Sequence, residues 1–365
     1  MPHPLEILQI VPRLPPSISG VGDYAYLLAR QLRLAHGITT RFIVCDTEGI
    51  SYSEIDGFDV KELSGRTETE LLATLGETDA RVILLQYVGY GYQKRGCPVW
   101  LVRGLEEWKR RNPEARLITM FHEISAFGPP WTSAFWTSVL QRNIAARVAR
   151  VSDACMTNRK LYADILKRLS RGVHEEIPWL PVFSNVGEPE NVLPLKDRKR
   201  RVVVFGSAAS RSRVYEKSMA ALEKVCHSMR IEEVIDIGPT IRSVPSSVNG
   251  TRITQLGPIP GEQVSRVLLN SVIGVFDYNP AYLDKSTIFA AYCAHGVVTI
   301  NAAGNAHDFE QWLTFDELEV SQCVPNSDLL ADEVTPHGRH ASYRAHSLSK
   351  HAISIARQVH IVTGA

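Results

Sequence analysis

The sequence lacks the features of several specialised classes of protein. Its six cysteines lie tens of residues apart with no C-x-x-C pair, so we expect neither a disulfide framework nor a structural metal site. No segment reaches about 18 uninterrupted apolar residues, and no basic stretch followed by a long apolar run stands at the N-terminus. We therefore expect a cytoplasmic protein with buried free thiols and without a membrane-spanning helix.

Charge of one sign is also lacking. The chain has 40 basic and 39 acidic residues, a formal net charge of +1. Such a balance provides no overall attraction to nucleic acid, and we expect no nucleic-acid partner. With 44% hydrophobic and 22% charged residues, the 365-residue chain can bury a sizeable core. At about 150 residues per domain, this length predicts two domains.

Short apolar runs bounded by turn residues alternate with stretches of helical period along most of the chain. This alternation predicts an α/β fold with two Rossmann-like doubly wound domains facing each other across a cleft. We expect an N-terminal domain over residues 1–185, a polar, proline-bearing linker over 186–200 and a C-terminal domain over 201–341. A last helix over 342–365 is expected to pack back on the N-terminal domain. Open α/β sheets bind ligands at the carboxyl ends of their strands, so the candidate residues are sought in those loops.

The first such loop, P-P-S-I-S-G-V-G-D, joins a predicted strand to a predicted helix. Gly20 and Gly22 would let the backbone approach a ligand, and the helix N-terminus offers N–H groups to an anion. An ordinary turn that needs glycine explains them equally well. A weak match to the dinucleotide fingerprint also remains, without its third glycine.

Two further loops of the N-terminal half carry side chains suited to a sugar. His122 and Glu123 follow an apolar run, and an aromatic loop with Trp131 comes next. Imidazole can bond a sugar hydroxyl, although many buried histidines are satisfied by backbone groups alone. Tyr87 and Tyr90 belong to the loop Q-Y-V-G-Y-G-Y, where amphipathic rings suit either a carbohydrate or plain packing.

The C-terminal half offers cations and hydroxyls near two predicted helix starts. Arg211 and Lys217 follow an apolar strand and together could neutralise a diphosphate, while a solvated basic face is the alternative. Lys285, Ser286 and Thr287 open a later helix and form a second candidate phosphate site, although a helix cap is their simpler role.

Taken together, these pieces resemble the GT-B glycosyltransferases, most closely the retaining family 4 or group 1 branch. Four motifs carry the resemblance: S-x-S-G-V-G-D-Y-A-Y-L-L-A at the first helix, F-H-E after a strand, L-P-V-F-S-N-V-G before the linker and A-A-Y-C-A-H-G-V-V-T-I near the last strand. The resemblance implies a hexosyltransferase whose C-terminal domain holds a nucleotide-diphosphate sugar such as a UDP-sugar. The N-terminal domain would hold a carbohydrate or lipid-linked hydroxyl acceptor. No metal and no cofactor besides the donor are expected.

The resemblance also assigns roles to the candidate residues. His122, Arg211 and Lys217 would be catalytic, the first beside the donor sugar and the other two at the phosphates. Donor-phosphate binding would fall to Gly20, Gly22, Lys285, Ser286 and Thr287, and acceptor binding to Tyr87, Tyr90, Glu123 and Trp131.

One departure from the family keeps other functions open. The family usually places two glutamates before the last motif, and Leu283 and Ala291 stand there instead. Donor contacts through Lys285, Ser286 and Thr287 are one explanation, and a different nucleotide sugar as donor is a second. A non-catalytic carbohydrate-binding relative is a third. A nucleotide-sugar epimerase would use His122 with Glu123 as its acid and base. A nicotinamide dehydrogenase has only the weak glycine fingerprint in its favour.

Basic residues recur on the later helices of the N-terminal half. A solvated helix face is their commoner explanation, and peripheral contact with an anionic membrane is the alternative. They are Arg142, Arg147, Arg150, Lys160, Lys167, Arg168 and Arg171.

Overall fold

The computed structural model describes residues 5–17, 19–46, 49–51, 53–126, 128–242, 244–303 and 336–363. The chain forms two compact units, one of residues 1–181 together with 348–365 and one of residues 182–347. Each unit is built on one mostly parallel sheet, which confirms the predicted pair of Rossmann-like doubly wound domains.

The first unit contains a seven-stranded sheet in the order β3-β4-β2-β1-β5-β6-β7, in which only β3 runs antiparallel to its neighbour. The strands are β1 (Glu6–Val11), β2 (Thr39–Val44), β3 (Glu54–Ile55), β4 (Phe58–Glu62), β5 (Val82–Tyr87), β6 (Arg116–Phe121) and β7 (Ala154–Thr157). Fully buried central strands explain their continuous apolar runs. The hairpin of β3 and β4, short and half exposed, has no such run and was not predicted.

Six helices of the first unit lie between or after these strands. They are α1 (Gly20–His36), α2 (Glu68–Gly76), α3 (Gly89–Tyr92), α4 (Val99–Arg111), α5 (Ser133–Val151) and α6 (Lys160–Leu169). Ser19 caps α1 by accepting a hydrogen bond from the Gly22 N–H, and Gly37 ends the helix in the left-handed conformation.

The second unit contains a six-stranded sheet in the order β10-β11-β9-β8-β12-β13. Its strands are β8 (Lys199–Phe205), β9 (Glu233–Ile237), β10 (Ser247–Val248), β11 (Thr251–Gly257), β12 (Ser271–Phe276) and β13 (Val298–Asn301). Its helices are α7 (Ala208–Lys217), α8 (Met219–Ser228), α9 (Gly261–Leu269), α10 (Thr287–Ala294) and α11 (Pro336–Arg344).

Two helices, α7 and α8, follow β8 and are separated at Ser218. Ser207 caps α7, since its hydroxyl accepts from the Ser210 N–H. At Ser218 the backbone leaves helical geometry, with φ −124°, and the Ser218 hydroxyl bonds the Ala302 carbonyl at 3.1 Å. Lys217, expected near the start of a helix, is therefore the last residue of α7, and Ser218 separates it from α8.

The C-terminal segment predicted as one helix over 342–365 contains the end of α11 and a separate helix, α12 (Leu348–Thr363). Helix α12 belongs to the first unit and packs against α1. The contact buries a face of α12 formed by His351, Ala352, Ile355, Ala356 and Val359.

Candidate functional site

Each sheet reverses its strand order at one point, and the loops at the carboxyl ends of the strands beside that point are the candidate ligand-binding loops. In the first unit the chain moves outward from β1 on one side and returns to β5 on the other. In the second unit the same switch lies between β8 and β12. Ligands of open α/β sheets bind outside the carboxyl ends of the strands at such a switch.

His122 lies at this edge of the first unit and is almost fully buried. Its Nε2 lies 2.8 Å from Oε1 of Gln86, whose own amide nitrogen donates to Gln9 Oε1 at 2.9 Å. Because Gln86 Oε1 can only accept, Nε2 of His122 carries a proton. The two glutamines thus fix the imidazole, and neither was predicted as a site residue. The sequence feature that could have indicated them is a single glutamine inside each of two apolar strands, β1 and β5.

Tyr24 of α1 connects His122 to the C-terminal helix. Its ring packs edge-on against the imidazole with centroids 4.8 Å apart, and its hydroxyl lies 2.8 Å from Nδ1 of His351. Nε2 of His351 donates to the Pro181 carbonyl, so Nδ1 accepts from Tyr24. Burial raises the pKa of Tyr24 well above its ordinary value, which keeps the hydroxyl protonated as a donor.

The two glycines of the first loop occupy different surroundings. Gly20 is exposed, and a Cβ there would meet nothing within 4 Å. A Cβ on Gly22 would lie 2.5 Å from the Arg13 carbonyl oxygen. Gly22 therefore has a packing role, because it lets α1 approach the loop that follows β1. Gly20, in the first turn of α1, is the one that a ligand could approach.

Of the four predicted acceptor residues, one is buried and three are at least partly exposed. Tyr87 is 1% exposed and packs on Phe121, so its ring cannot stack on a carbohydrate, and this part of the prediction is wrong. Its hydroxyl nevertheless has no partner among the described residues. Tyr90 is 46% exposed and Trp131 84% exposed, while Glu123 is partly exposed. These three remain accessible to an acceptor.

In the second unit two helices begin near Gly206, the residue that follows β8. Gly206 has φ +138°, and a Cβ there would lie 2.4 Å from Ile288 in the first turn of α10. Helix α7 starts two residues later, after Ser207. The N-termini of α7 and α10 therefore converge on Gly206, and helix N-termini favour anions through their free N–H groups and dipoles.

Arg211 does not point to this site, and its predicted phosphate contact is corrected. The side chain is 1% exposed and forms a buried ion pair with Asp236 of β9, with Nε 3.0 Å from Oδ2 and Nη2 bonded to Oδ1. Nη1 donates to the Pro239 carbonyl at 2.6 Å. A guanidinium held at three points by its own unit acts as a structural ion pair.

Lys217 remains available at the carboxyl edge of the sheet. It is exposed, and the Ser218 hydroxyl beside it bonds the carbonyl of Ala302, the residue after β13. The backbone at Lys217 is therefore held close to the end of that strand. A cation here can reach an anion above the sheet edge.

The second predicted phosphate site has a mixed outcome. Ser286 is buried and caps α10, since its Oγ accepts from the Phe289 N–H at 3.1 Å, so its hydroxyl already has the simpler role. Thr287 is the first residue of α10 and is partly exposed. The Nζ of Lys285 lies 5.9 Å from the centre of the Tyr282 ring. Neither Lys285 nor Thr287 is buried.

An ion pair that was not predicted from the sequence spans the switch point of the second sheet. Arg213 of α7 donates from Nε to Oδ1 of Asp277 at 2.7 Å and from Nη2 to its carbonyl at 3.0 Å. Asp277 directly follows β12. The pair connects α7 to the segment between β12 and α10. Among the described residues no cluster of three or more His, Cys, Asp or Glu could hold a metal ion.

Comparison by sequence finds nothing, because no family model and no curated protein matches this chain. Comparison by structure does find matches. An alpha-glucosyltransferase in complex with UDP-glucose and DNA containing an abasic site gives a TM-score of 0.54 at 11% identity, over 98% of this chain and 99% of that chain. The pneumococcal O-GlcNAc transferase GtfA in complex with UDP and GlcNAc gives 0.56 at 8% identity, over 99% of both chains.

The fold is that of the GT-B glycosyltransferases. The N-terminal domain of Candida albicans trehalose-6-phosphate phosphatase is similar as well, with a TM-score of 0.58 at 10% identity over 98% of this chain and 97% of that chain. At such low sequence identity these structural similarities establish the fold alone. The substrate and the reaction have to be argued from the residues of the site. Membership of the retaining family 4 branch stays a prediction. No helix in the described ranges is long and apolar enough to cross a membrane.

Proposed function

We propose that this GT-B protein is a glycosyltransferase that moves a sugar, with retention, from a nucleotide-diphosphate sugar to a hydroxyl acceptor. The convergence of the α7 and α10 N-termini on Gly206, with exposed Lys217 at the same sheet edge, carries the proposal. Two structurally similar proteins were solved with UDP or UDP-glucose, which favours a UDP-sugar as donor.

The second unit would bind the donor diphosphate. Backbone N–H groups at the two helix starts, Thr287 and the Lys285 ammonium would contact the phosphate oxygens, and Lys217 would stabilise the charge that develops on the leaving group. The acceptor oxygen forms its bond to the anomeric carbon as the bond from that carbon to the diphosphate breaks. The acceptor proton passes to the leaving diphosphate, so no separate protein base is required.

The first unit would bind the acceptor and contact the donor sugar. His122, held by Gln86 and Tyr24, would bond a sugar hydroxyl, with Gly20 next to the diphosphate. Tyr90, Glu123 and Trp131 would contact a carbohydrate or lipid-linked acceptor. A side chain fixed by buried neighbours positions a substrate better than a mobile one, because less entropy is lost on binding.

The first test is donor binding and turnover. The protein is mixed in turn with UDP-, GDP- and ADP-sugars, and thermal stability and donor hydrolysis are followed. We expect stabilisation and slow hydrolysis with one nucleotide. No stabilisation by any nucleotide contradicts the proposal, and an isomerised sugar formed without acceptor would instead favour an epimerase using His122 and Glu123.

Lys217→Ala tests the leaving-group role. We expect turnover to fall by about 100-fold, because charge stabilisation in the transition state is lost. Lys199→Ala is the matched control, since this exposed lysine begins β8 at the opposite, amino edge of the same sheet. Equal turnover in the two variants would remove Lys217 from the site.

A further inference from the structure

Helix α5 carries apolar side chains on the side that faces away from its own core. Its buried side consists of Gln141, Ile144, Ala145, Ala146, Val148 and Ala149. Val139 lies nine residues, or two and a half turns, before Val148, so it points to the opposite side. Surface helices normally carry polar residues there. The exposed apolar residues form what we call the α5 apolar face: Trp131, Phe135, Trp136, Val139 and Leu140.

These side chains are all exposed, and four of them lie between residues 135 and 140 of α5, with Trp131 just before the helix. Trp131 is 84% exposed, Trp136 72% and Val139 75%. The rings of Phe135 and Trp136 pack edge-on with centroids 5.3 Å apart, so the face is partly ordered before any partner arrives. Single exposed apolar residues are ordinary, whereas a contiguous group marks a binding surface.

The chain segments that carry and adjoin the α5 apolar face contain basic residues and no acidic ones. Residues 124–152 contain no Asp or Glu, and neither do residues 80–105. The two segments meet at Gln141, whose Nε2 donates to the Arg95 carbonyl at 2.8 Å. This contact brings the exposed Lys94 and Arg95 next to α5, which itself carries exposed Arg142. The apolar face therefore has a cationic rim.

We propose that the α5 apolar face docks on the surface of an anionic phospholipid bilayer. Trp131 and Trp136 enter the headgroup region, where indole rings are favoured, and Lys94, Arg95 and Arg142 contact lipid phosphates. A second copy of this chain fits the face less well, because a symmetric dimer through it would bring two cationic rims together. The inference does not depend on the proposed sugar transfer.

The experiment is sedimentation of the full chain with vesicles. We expect the protein to sediment with vesicles of equal parts phosphatidylglycerol and phosphatidylcholine and far less with phosphatidylcholine alone. The double variant Trp136→Ser, Val139→Ser should lower the partition coefficient by about tenfold or more, because two exposed apolar side chains no longer leave water. Leu34→Ser, at an exposed leucine of α1, is the matched control and should leave binding unchanged.

A second pair of variants separates charge from apolar contact. Lys94→Gln with Arg95→Gln should weaken binding to the anionic vesicles by about tenfold and reduce its sensitivity to salt. The weak binding to phosphatidylcholine should not change. Wild-type tryptophan emission should shift to the blue on binding and be quenched by brominated lipid, a readout that needs no variant.

Three results would overturn the inference. The first is wild-type protein that stays in the supernatant with anionic vesicles, and the second is a serine variant that binds as well as wild type. The third is a dimer in vesicle-free solution that the serine variant dissociates while lipid binding is absent, because the face would then be an interface between copies.

Discussion

At the scale of single residues, the second unit uses a buried ion pair where a ligand contact was expected. Arg211 and Asp236 are both nearly inaccessible, and the Tyr215 hydroxyl donates to the same carboxylate at 2.8 Å. Burial and, after it, the neighbouring Asp236 carboxylate raise the pKa of Tyr215 well above its ordinary value. Removing one member of such a group leaves the others buried without compensation.

We expect Arg211→Met to lower the free energy of unfolding by about 3–5 kcal/mol, since the Asp236 carboxylate stays buried without its cation. Adding Asp236→Asn should restore a large part of this loss, because an amide carries no charge. Urea unfolding measures both. If Arg211 instead bound phosphate, the double variant would lose about tenfold or more in nucleotide affinity, and unchanged affinity would confirm the structural role.

His295, at the end of α10, has no solvent contact. Its Nε2 lies 2.7 Å from the Ser265 hydroxyl and its Nδ1 2.7 Å from the Ala291 carbonyl, so the neutral ring satisfies both partners. Burial lowers the pKa of His295 to about 4. The folded state therefore takes up this proton less readily than the unfolded state, whose histidine titrates near pH 6.5.

The stability that His295 contributes should be fully present above pH 6.5 and be lost as the pH falls to about 4. We expect the free energy of unfolding of the second unit to fall by as much as about 3 kcal/mol over this range. Urea unfolding at several pH values measures the slope. His295→Gln should flatten it, whereas His227→Gln, at an exposed histidine of α8, should not. Equal slopes in all three proteins would contradict this explanation.

At the scale of elements, the junction of β1 and α1 depends on one close backbone contact. Gly22 lies in the first turn of α1, where a Cβ would fall within 2.5 Å of the Arg13 carbonyl oxygen. Gly20, two residues earlier, has open space around it. The close backbone contact therefore requires glycine at position 22, whereas the packing at position 20 does not.

Gly22→Ala should lower the free energy of unfolding of the first unit by about 1–3 kcal/mol, because the helix or the loop must move to admit the methyl group. Gly20→Ala should leave it unchanged or raise it by about 1 kcal/mol at most, since alanine restricts the unfolded chain. Thermal unfolding of the two variants checks this difference. Equal stability would show that the loop adapts without cost.

At the scale of the whole molecule, the last helix returns to the unit in which the chain began. Helix α12 buries Ile355 and Val359 in its contact with α1, and Arg116 of β6 donates to the Val362 carbonyl at 2.7 Å. His351 of the same helix bonds Tyr24, which packs on His122. The C-terminal helix thus supports both the core of the first unit and its candidate histidine.

We expect a chain that ends at Ser347 to lose of the order of 5 kcal/mol of stability in its first unit, enough to unfold a unit of ordinary stability. Circular dichroism and urea unfolding measure the loss. Ile355→Ala should cost about 2–5 kcal/mol because Ile355 is fully buried, and Ile353→Ala, at a half-exposed position, should cost little. A truncated chain with wild-type unfolding would contradict this role of α12.

Apolar runs and glycine turns were enough to predict the two doubly wound sheets, because a buried parallel strand needs a continuous apolar segment wherever it lies. His122 was predicted at a carboxyl edge because it directly follows an apolar strand. Lys217 was expected near the start of a helix, whereas it is the last residue of α7. The β3–β4 hairpin and the break at Ser218 escaped prediction. The hairpin depends on a short, exposed pairing of two strands, and the break depends on a hydrogen bond from the Ser218 hydroxyl to Ala302. Local sequence patterns do not indicate either contact.

The sequence by itself determined the fold class and which loops could carry a site, because periodic burial and strand-end loops are local properties. Only the tertiary structure decided what each polar side chain does there. Arg211 became a structural ion pair because Asp236, 25 residues away, lies beneath it. Tyr87 became a core residue because Phe121 packs on it, and Lys217 remained exposed. The partner of a polar side chain can lie far away in the sequence, so only the folded chain shows which partner each side chain binds.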